Sequence, residues 1–369
     1  GRIAAVGPGA RVRPPRGVKT LDARGATLTA GFWNAHVHIM PPPLLGAADA
    51  PAQRLQGTLD QMLTRWGFTT VFDIASNTEN TLALRRRIEA GEIAGPEILT
   101  VGDPFFPKDG TPIYVREFIK AQGWPDEEVA TPQEAAERAA RQLEAGTDGV
   151  KVFAGAIVGG TVGVLPMRVD IARAAVDEAH KRGKPAFAHP TNRAGLEVAI
   201  EAGVDILAHT APGQRADEAV WPPELIARLK ARNMALVPTL SLFDVEMKKD
   251  GAPPAAIAGM LERVEGQVRD YAAAGGQILF GTDVGYTDAF DTTLEYALLA
   301  KALDWRQILA SLTTAPADRF GRAGRQGRVA EGLEGDLVLL DGDPAEDPTA
   351  FARVRATIRG GRVIWGEGR

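Results

Sequence analysis

The pair His36-Val37-His38 closes the apolar run Ala30-Gly31-Phe32-Trp33-Asn34-Ala35. Residues i and i+2 of a strand point to one face, so these two imidazoles would sit side by side and could hold one metal ion. Farther along, Lys151, His189, His209 and Asp283 each close another short apolar run. One polar residue at one strand end means little, but six at five strand ends describe a site. An ammonium has three donors and no acceptor, so Lys151 cannot ligate as it stands. Carboxylated by carbon dioxide, it would offer two oxygens able to bridge two cations, although the spacing alone does not require that modification.

Eight short β-rich runs position these residues, at 36–38, 70–75, 97–102, 149–154, 185–189, 206–209, 235–240 and 278–283. Between them lie helix-like stretches at 80–90, 132–145, 169–182, 194–202, 223–231 and 255–274. Regular alternation implies parallel strands joined by crossover helices, and eight units predict a closed (β/α)8 TIM barrel. Each ligand type then falls at the C-terminal rim, where barrel sites form. First and last strands adjoin on closure, grouping His36 and His38 with Asp283; the fifth and sixth group His189 with His209. Thr131-Pro132-Gln133-Glu134 reads as a capping box with Pro at the first helical position. The connection 104–130, with Phe105, Phe106, Tyr114 and Trp124, leaves from the same rim and reads both as a lid and as aromatic packing. The Gly-rich stretch 155–163 lacks a phosphate-binding spacing and reads as a flexible loop near the mouth.

The two ends differ from the middle. Strand-like pieces at 2–7, 20–22, 335–341, 354–359 and 362–365, with Gly360-Gly361 as a hairpin turn, predict a small composite β-sandwich from residues 1–28 and 316–369. It would flank a barrel of residues 29–315. Composition narrows the function classes. A net charge of −5 gives no basic face for nucleic acid, and no apolar run nears the ~18 residues of a membrane span. With no Cys there is no disulfide, thiolate site or cysteine nucleophile, which suits cytoplasm and periplasm equally. The opening Gly1-Arg2-Ile3 lies inside a strand-like stretch, so upstream residues are expected and a signal peptide stays open. Absence of Gly-x-Ser-x-Gly removes the serine-hydrolase route.

In their order along the whole chain these motifs resemble the amidohydrolase superfamily, most closely its metal-dependent dipeptidase (prolidase-like) and imidazolonepropionase-like branch. The resemblance rests on His36-Val37-His38, on Lys151 in Asp148-Gly149-Val150-Lys151-Val152-Phe153, and on His189 in Ala188-His189-Pro190. It rests also on His209 in Leu207-Ala208-His209-Thr210, Asp283 in Gly281-Thr282-Asp283, and the tail Gly335-Asp336-Leu337-Val338. It implies two divalent metal ions, zinc being expected. His36, His38 and Asp283 would hold the more buried one, His189 and His209 the more exposed one, and N6-carboxylysine at Lys151 would bridge them. Imidazolonepropionases proper lack that lysine, so Lys151 favours the two-metal members. A shared hydroxide would be the nucleophile, with Asp283 as the catalytic proton shuttle.

The activity so implied is hydrolysis of an amide or peptide C–N bond in a small molecule such as a dipeptide or N-acyl amino acid. A lactonase or esterase using the same site, and a catalytically silent barrel scaffold, are the alternatives. Barrels of this kind often pair, so a homo-oligomer is an open expectation. Two departures touch specificity: Pro190-Thr191-Asn192-Arg193 follows His189, and Ala208 precedes His209 where relatives often place Glu. Arg193 could meet a substrate carboxylate through a bidentate pair, or be a solvated cation at a helix start. Tyr114 could donate to the substrate carbonyl, or simply pack. His180 reads as a solvated side chain, and Asp73 as a cap of the turn that follows it.

Overall fold

A computed structural model of the chain describes residues 1–9, 11–124, 127–213 and 220–369. All eight expected strands form, and all pair in parallel. Phe32–Val37, Phe68–Asp73 and Glu97–Thr100 make one ladder. Val150–Val152, Ala186–Ala188, Ile206–Ala208, Ala235–Val237 and Gln277–Ile278 make a second. The fold is of the TIM-barrel type, although the ladders are two arcs rather than one closed sheet. Single backbone hydrogen bonds cross both seams. At one, extended Phe105 donates to the Lys151 carbonyl at 2.9 Å and accepts from Phe153 N at 2.9 Å. At the other, Ala35 N donates to Phe280 O at 2.8 Å, and His38 N to Val284 O at 2.8 Å.

The barrel interior is a cluster of its own. Trp33, Ala35, Phe72, Ile74, Leu99, Val101, Phe187, Ile206, Ala208, Ala235, Val237 and Leu279 fill it, while alternate residues such as Val71, Val150 and Ala188 join the outer core beneath the helices. This is the period-two alternation of a strand buried on both faces. Phe320 plugs the N-terminal end, with its ring 5.5 Å from Trp33 and 5.1 Å from Phe72. The expected helix start at Thr131 is real: its hydroxyl accepts from Glu134 N at 3.2 Å and opens helix Pro132–Glu144.

Two expectations need correction. The terminal residues build one four-stranded antiparallel sheet, Ala26–Ala30, Leu337–Asp341, Val354–Arg359 and Arg362–Gly366 in that order. Stretches 2–7 and 20–22 form no strands; only Arg2 makes an isolated bridge, to Glu334. Pro8, Pro14 and Pro15 with several Gly and Arg leave this segment too few apolar residues and backbone donors to hold a second layer. The Gly360-Gly361 turn does form, both residues having positive φ (56° and 76°). Secondly, residues 155–163 are no flexible loop. Gly155–Gly159 pairs antiparallel with Gly163–Pro166 as a hairpin over the mouth. The connection after the third strand, read both as a lid and as aromatic packing, contains helix Ile113–Gln122 and a short parallel pair, Phe106–Pro107 with Glu128–Val129. Among the described residues no helix is long and apolar enough to cross a membrane.

Trp33 is 1% exposed and stacks on the Phe320 plug. Trp33→Ala is therefore expected to lower the unfolding free energy by about 3–5 kcal/mol, read as a shift in the guanidinium denaturation midpoint at constant slope.

Candidate metal centre

Strand periodicity alone would not bring the six residues together. Lys151, His189 and Asp283 are in phase with inward-facing neighbours, since Val150 and Val152 point outward while Phe187 and Leu279 point in. His36 and His38 are out of phase with Trp33 and Ala35. An extra residue between Asn34 and Val37, opposite Val71 and Asp73, makes a bulge there and re-aims both imidazoles into the mouth. His209 is out of phase with Ala208, and its positive φ of 80° turns it inward instead. Asp283, φ 61°, and Thr239, φ 49°, are also left-handed. Such backbone is unfavourable for non-glycine residues and is held only where surrounding structure over-determines it.

The side chains converge. His36 Nε2 and His38 Nε2 lie 2.8 and 2.7 Å from Asp283 Oδ1, and 3.2 Å from each other. Yet buried Asp283 Oδ1 accepts no properly directed hydrogen bond, and buried His36 Nδ1 has no partner. Two ring nitrogens and a carboxylate oxygen crowded within 2.7–3.2 Å of one another, with the oxygen lacking a directed donor, are what a cation between them would explain. His36, His209 and Asp283 also place one ligand atom each within 4.8 Å of the others. Ring centroids of His209 lie 4.5 Å from His36 and 4.6 Å from His189. The group is thus one continuous cluster rather than two separate pairs. Lys151, 1% exposed, completes it. Its ammonium forms no ion pair or hydrogen bond within the described structure and sits 5.3 Å from the Phe153 ring. Four imidazoles, a carboxylate and a buried lysine fit divalent cations of the zinc type.

Neighbours set the tautomers. His38 Nδ1 lies 2.8 Å from the Ala75 carbonyl, which can only accept, so Nε2 keeps its lone pair for the site. Thr239 Oγ1 spends its one proton on Pro238 O (2.8 Å) and must accept from His209 Nδ1 (2.6 Å), again freeing Nε2. Asp73, earlier read as a turn cap, does more. Wholly buried, its carboxylate accepts from Ser76 (2.5 Å), Thr81 (2.9 Å) and Thr100 (2.9 Å) hydroxyls, and Ser76 in turn accepts from Ile39 N. It ties down the segment that carries His38. Glycines allow the closest approach: a Cβ on Gly285 would overlap the His38 carbonyl, and one on Gly281 would meet His36 Cβ at 2.7 Å.

Burial dominates the electrostatics. It pushes His36 down to about 3 and, joined by neighbouring positive charge, holds His189 and His209 well below the usual range. All three stay neutral, the ligating form. Burial alone would raise the Asp283 carboxyl, but His36 and His38 outweigh it and keep it low. Burial brings Lys151 to about 8, against the pull of Asp283 and Asp73. At neutral pH roughly one lysine in ten is then free amine, against roughly one in three thousand for an ordinary lysine.

Above the cluster opens a cavity of about 640 Å³. Tyr114 borders it, its ring 5.5 Å from Tyr286, which donates to Glu246 at 3.2 Å. Arg193 does not border it and reaches toward the Val220 carbonyl at 3.5 Å. His180 is half-exposed and pairs with Asp205 at 2.8 Å instead of being only solvated. Sequence reasoning missed Thr239, Tyr286 and Glu246; Asp73 alone left a signal, as the acidic end of its strand.

A sequence profile of the amidohydrolase family matches residues 27–364. The chain belongs to the amidohydrolase family. It is 28% identical over 206 residues to an ochratoxinase of Aspergillus niger, covering 52% of this chain and 40% of that enzyme. The chain thus matches less than half the length of that curated relative. Among solved structures, it superposes on a candidate prolidase from Bifidobacterium longum with TM-score 0.79 and 27% identity, covering 100% of this chain and 89% of that one. A prolidase complexed with N-methylphosphonate-L-proline gives TM-score 0.78 and 25% identity, with 98% and 92% covered.

Two outcomes follow from the neighbours and charges. Thr239→Val should weaken zinc binding roughly 10- to 100-fold in chelator competition, and Thr239→Ser should restore it. In metal-free protein held at a constant concentration of dissolved ¹³CO2, the carbamate NMR signal should grow about tenfold faster at pH 7 than at pH 6 and level off above 8, because the attacking amine is the deprotonated form.

Proposed function

We propose that the protein is a binuclear metal-dependent amidohydrolase that cleaves an amide or peptide C–N bond in a small molecule, such as a dipeptide or N-acyl amino acid. The observation that carries this reading is the convergence of His36, His38, Asp283 and His209 beside a buried Lys151 that has no ion pair among the described residues, at the floor of one cavity. His36, His38 and Asp283 would hold one ion, His189 and His209 the other, and carboxylated Lys151 would join the two. Zinc suits these donors. Bound there, the ions would supply water acidified toward pKa ~7 and draw electron density from a scissile carbonyl.

The protein's own groups do the rest. Asp283, held ionised, takes the proton released as water oxygen bonds to the carbonyl carbon. It returns that proton to nitrogen as the C–N bond breaks, so the amine departs neutral and the acyl group leaves as a carboxylic acid, which gives up its remaining proton to solvent. Oδ1 already touches two imidazoles, which leaves the second carboxylate oxygen to carry the proton. The names of the similar proteins, two prolidases and an ochratoxinase, support a hydrolase of this bond class.

Asp283→Asn is expected to lower kcat about 10²- to 10⁴-fold. Metal content by elemental analysis separates the shuttle from ligand loss: an Asn variant with both ions bound and full turnover would sink the proposed proton role.

A further inference from the structure

Helix Ile113–Gln122 contains no buried residue, although Ile113, Tyr114, Val115, Phe118 and Ile119 are all large and apolar or aromatic. Ile113 alone is 48% exposed. A helix in a folded protein normally sinks an apolar stripe into a core. Here four of these residues, Ile113, Tyr114, Val115 and Ile119, border the cavity instead. Facing them is the hairpin Gly155–Gly159 and Gly163–Pro166, whose half-buried Ile157 and Val164 border the same space. The floor between is Phe153, its ring stacked 4.7 Å from His189 and met edge-on by Phe106 at 4.7 Å.

Some of these residues belong to a third hydrophobic cluster, separate from both barrel cores. Phe106, Phe153 and Ala156 are its buried members among the described residues; Tyr114, Val115, Ile119 and Val158 pack against them half-covered, and Ile157 and Val164 border the same cavity beside it. The cluster is incomplete, with its open side toward the ligand-type residues. Area left wet in this way is a favourable term waiting for an apolar occupant. The surrounding rings prefer a flat partner, offset-stacked or edge-on, to a branched chain. Arg193 stands outside, and among the described residues no Arg borders the cavity.

We propose that the substrate's amide carries a large flat apolar group, an aryl or fused-aryl acyl unit, that docks beside Phe153 and completes this cluster between helix and hairpin. The proposal rests on the amide-hydrolase reading of the site. It makes the two inserted elements, rather than the barrel, the determinants of specificity. A small dipeptide would leave the compartment unfilled.

The test uses the zinc-loaded protein and N-acetyl-, N-benzoyl- and N-(2-naphthoyl)-alanine, which share one leaving amine. The expected result is a rise in kcat/KM of at least about 10-fold from acetyl to naphthoyl. Ile119→Ser and Val164→Ser, checked for unchanged melting, should each cut that ratio at least threefold. Equal rates on the three amides, or a ratio unmoved in both variants, overturn the proposal. If no amide is cut, calorimetry with 2-naphthyl methyl ketone, which has no C–N bond, decides. Ketone binding that Ile119→Ser weakens upholds the compartment and overturns the amidase reading, whereas absent or unaltered binding overturns the compartment.

Discussion

Contact between Asp283 Oδ1 and the Nε2 atoms of His36 and His38 is the constraint on which the rest depends. It joins the first barrel strand to the segment after the last one, 245 or more positions away in the chain. Buried ionisable groups of this kind are expensive unless they are paired or coordinate a metal. The backbone therefore fixes their meeting redundantly. Asp283 N and Thr282 N both approach His36 O, at 3.0 and 3.3 Å, and Asn34 donates to the Thr282 hydroxyl at 2.8 Å. Removing side-chain bulk at Gly281 and Gly285 is what lets these segments lie so close.

Hydrogen-bond partners on the far ring nitrogens keep two of the imidazoles aimed, with Nε2 unprotonated. Thr239 does this for His209, and its own left-handed turn is steadied by Glu295, which accepts from Leu240 N at 2.9 Å and Ser241 N at 2.7 Å. Ala75 does it for His38, and the Asp73 network anchors Ala75's neighbour Ser76. Precision at such a site comes from neighbours that have no further freedom. The strained backbone at His209, Thr239 and Asp283 fits this pattern, since a rigid barrel can hold conformations that a loop alone would not.

The mouth follows different rules. Its helix and hairpin are inserted between barrel elements, lightly buried, and rich in apolar side chains that the protein covers only in part. A fixed reactive floor beneath a variable rim is how one fold serves many substrates. On the proposed function, the chemistry would belong to the floor and selectivity to the rim.

Much of this was legible in the amino-acid order. Eight apolar runs with intervening amphipathic stretches specify parallel strands and crossover helices, because burial on both faces permits little else. His36, His38, Lys151, His189, His209 and Asp283 stood out since each is a metal-ligand type, or convertible to one, ending such a run. What only tertiary structure decided is where those side chains point. A one-residue bulge turns His36 and His38 inward, and a left-handed φ turns His209. Neither leaves a local sequence signal, since both arise from pairing with distant strands. The same holds for Arg193, for which sequence left a substrate contact and a solvated cation both open and which does not border the cavity, and for stretches 2–7 and 20–22, which form no strand beyond the isolated Arg2–Glu334 bridge. Local composition sets the period of an element; only its neighbours set the phase.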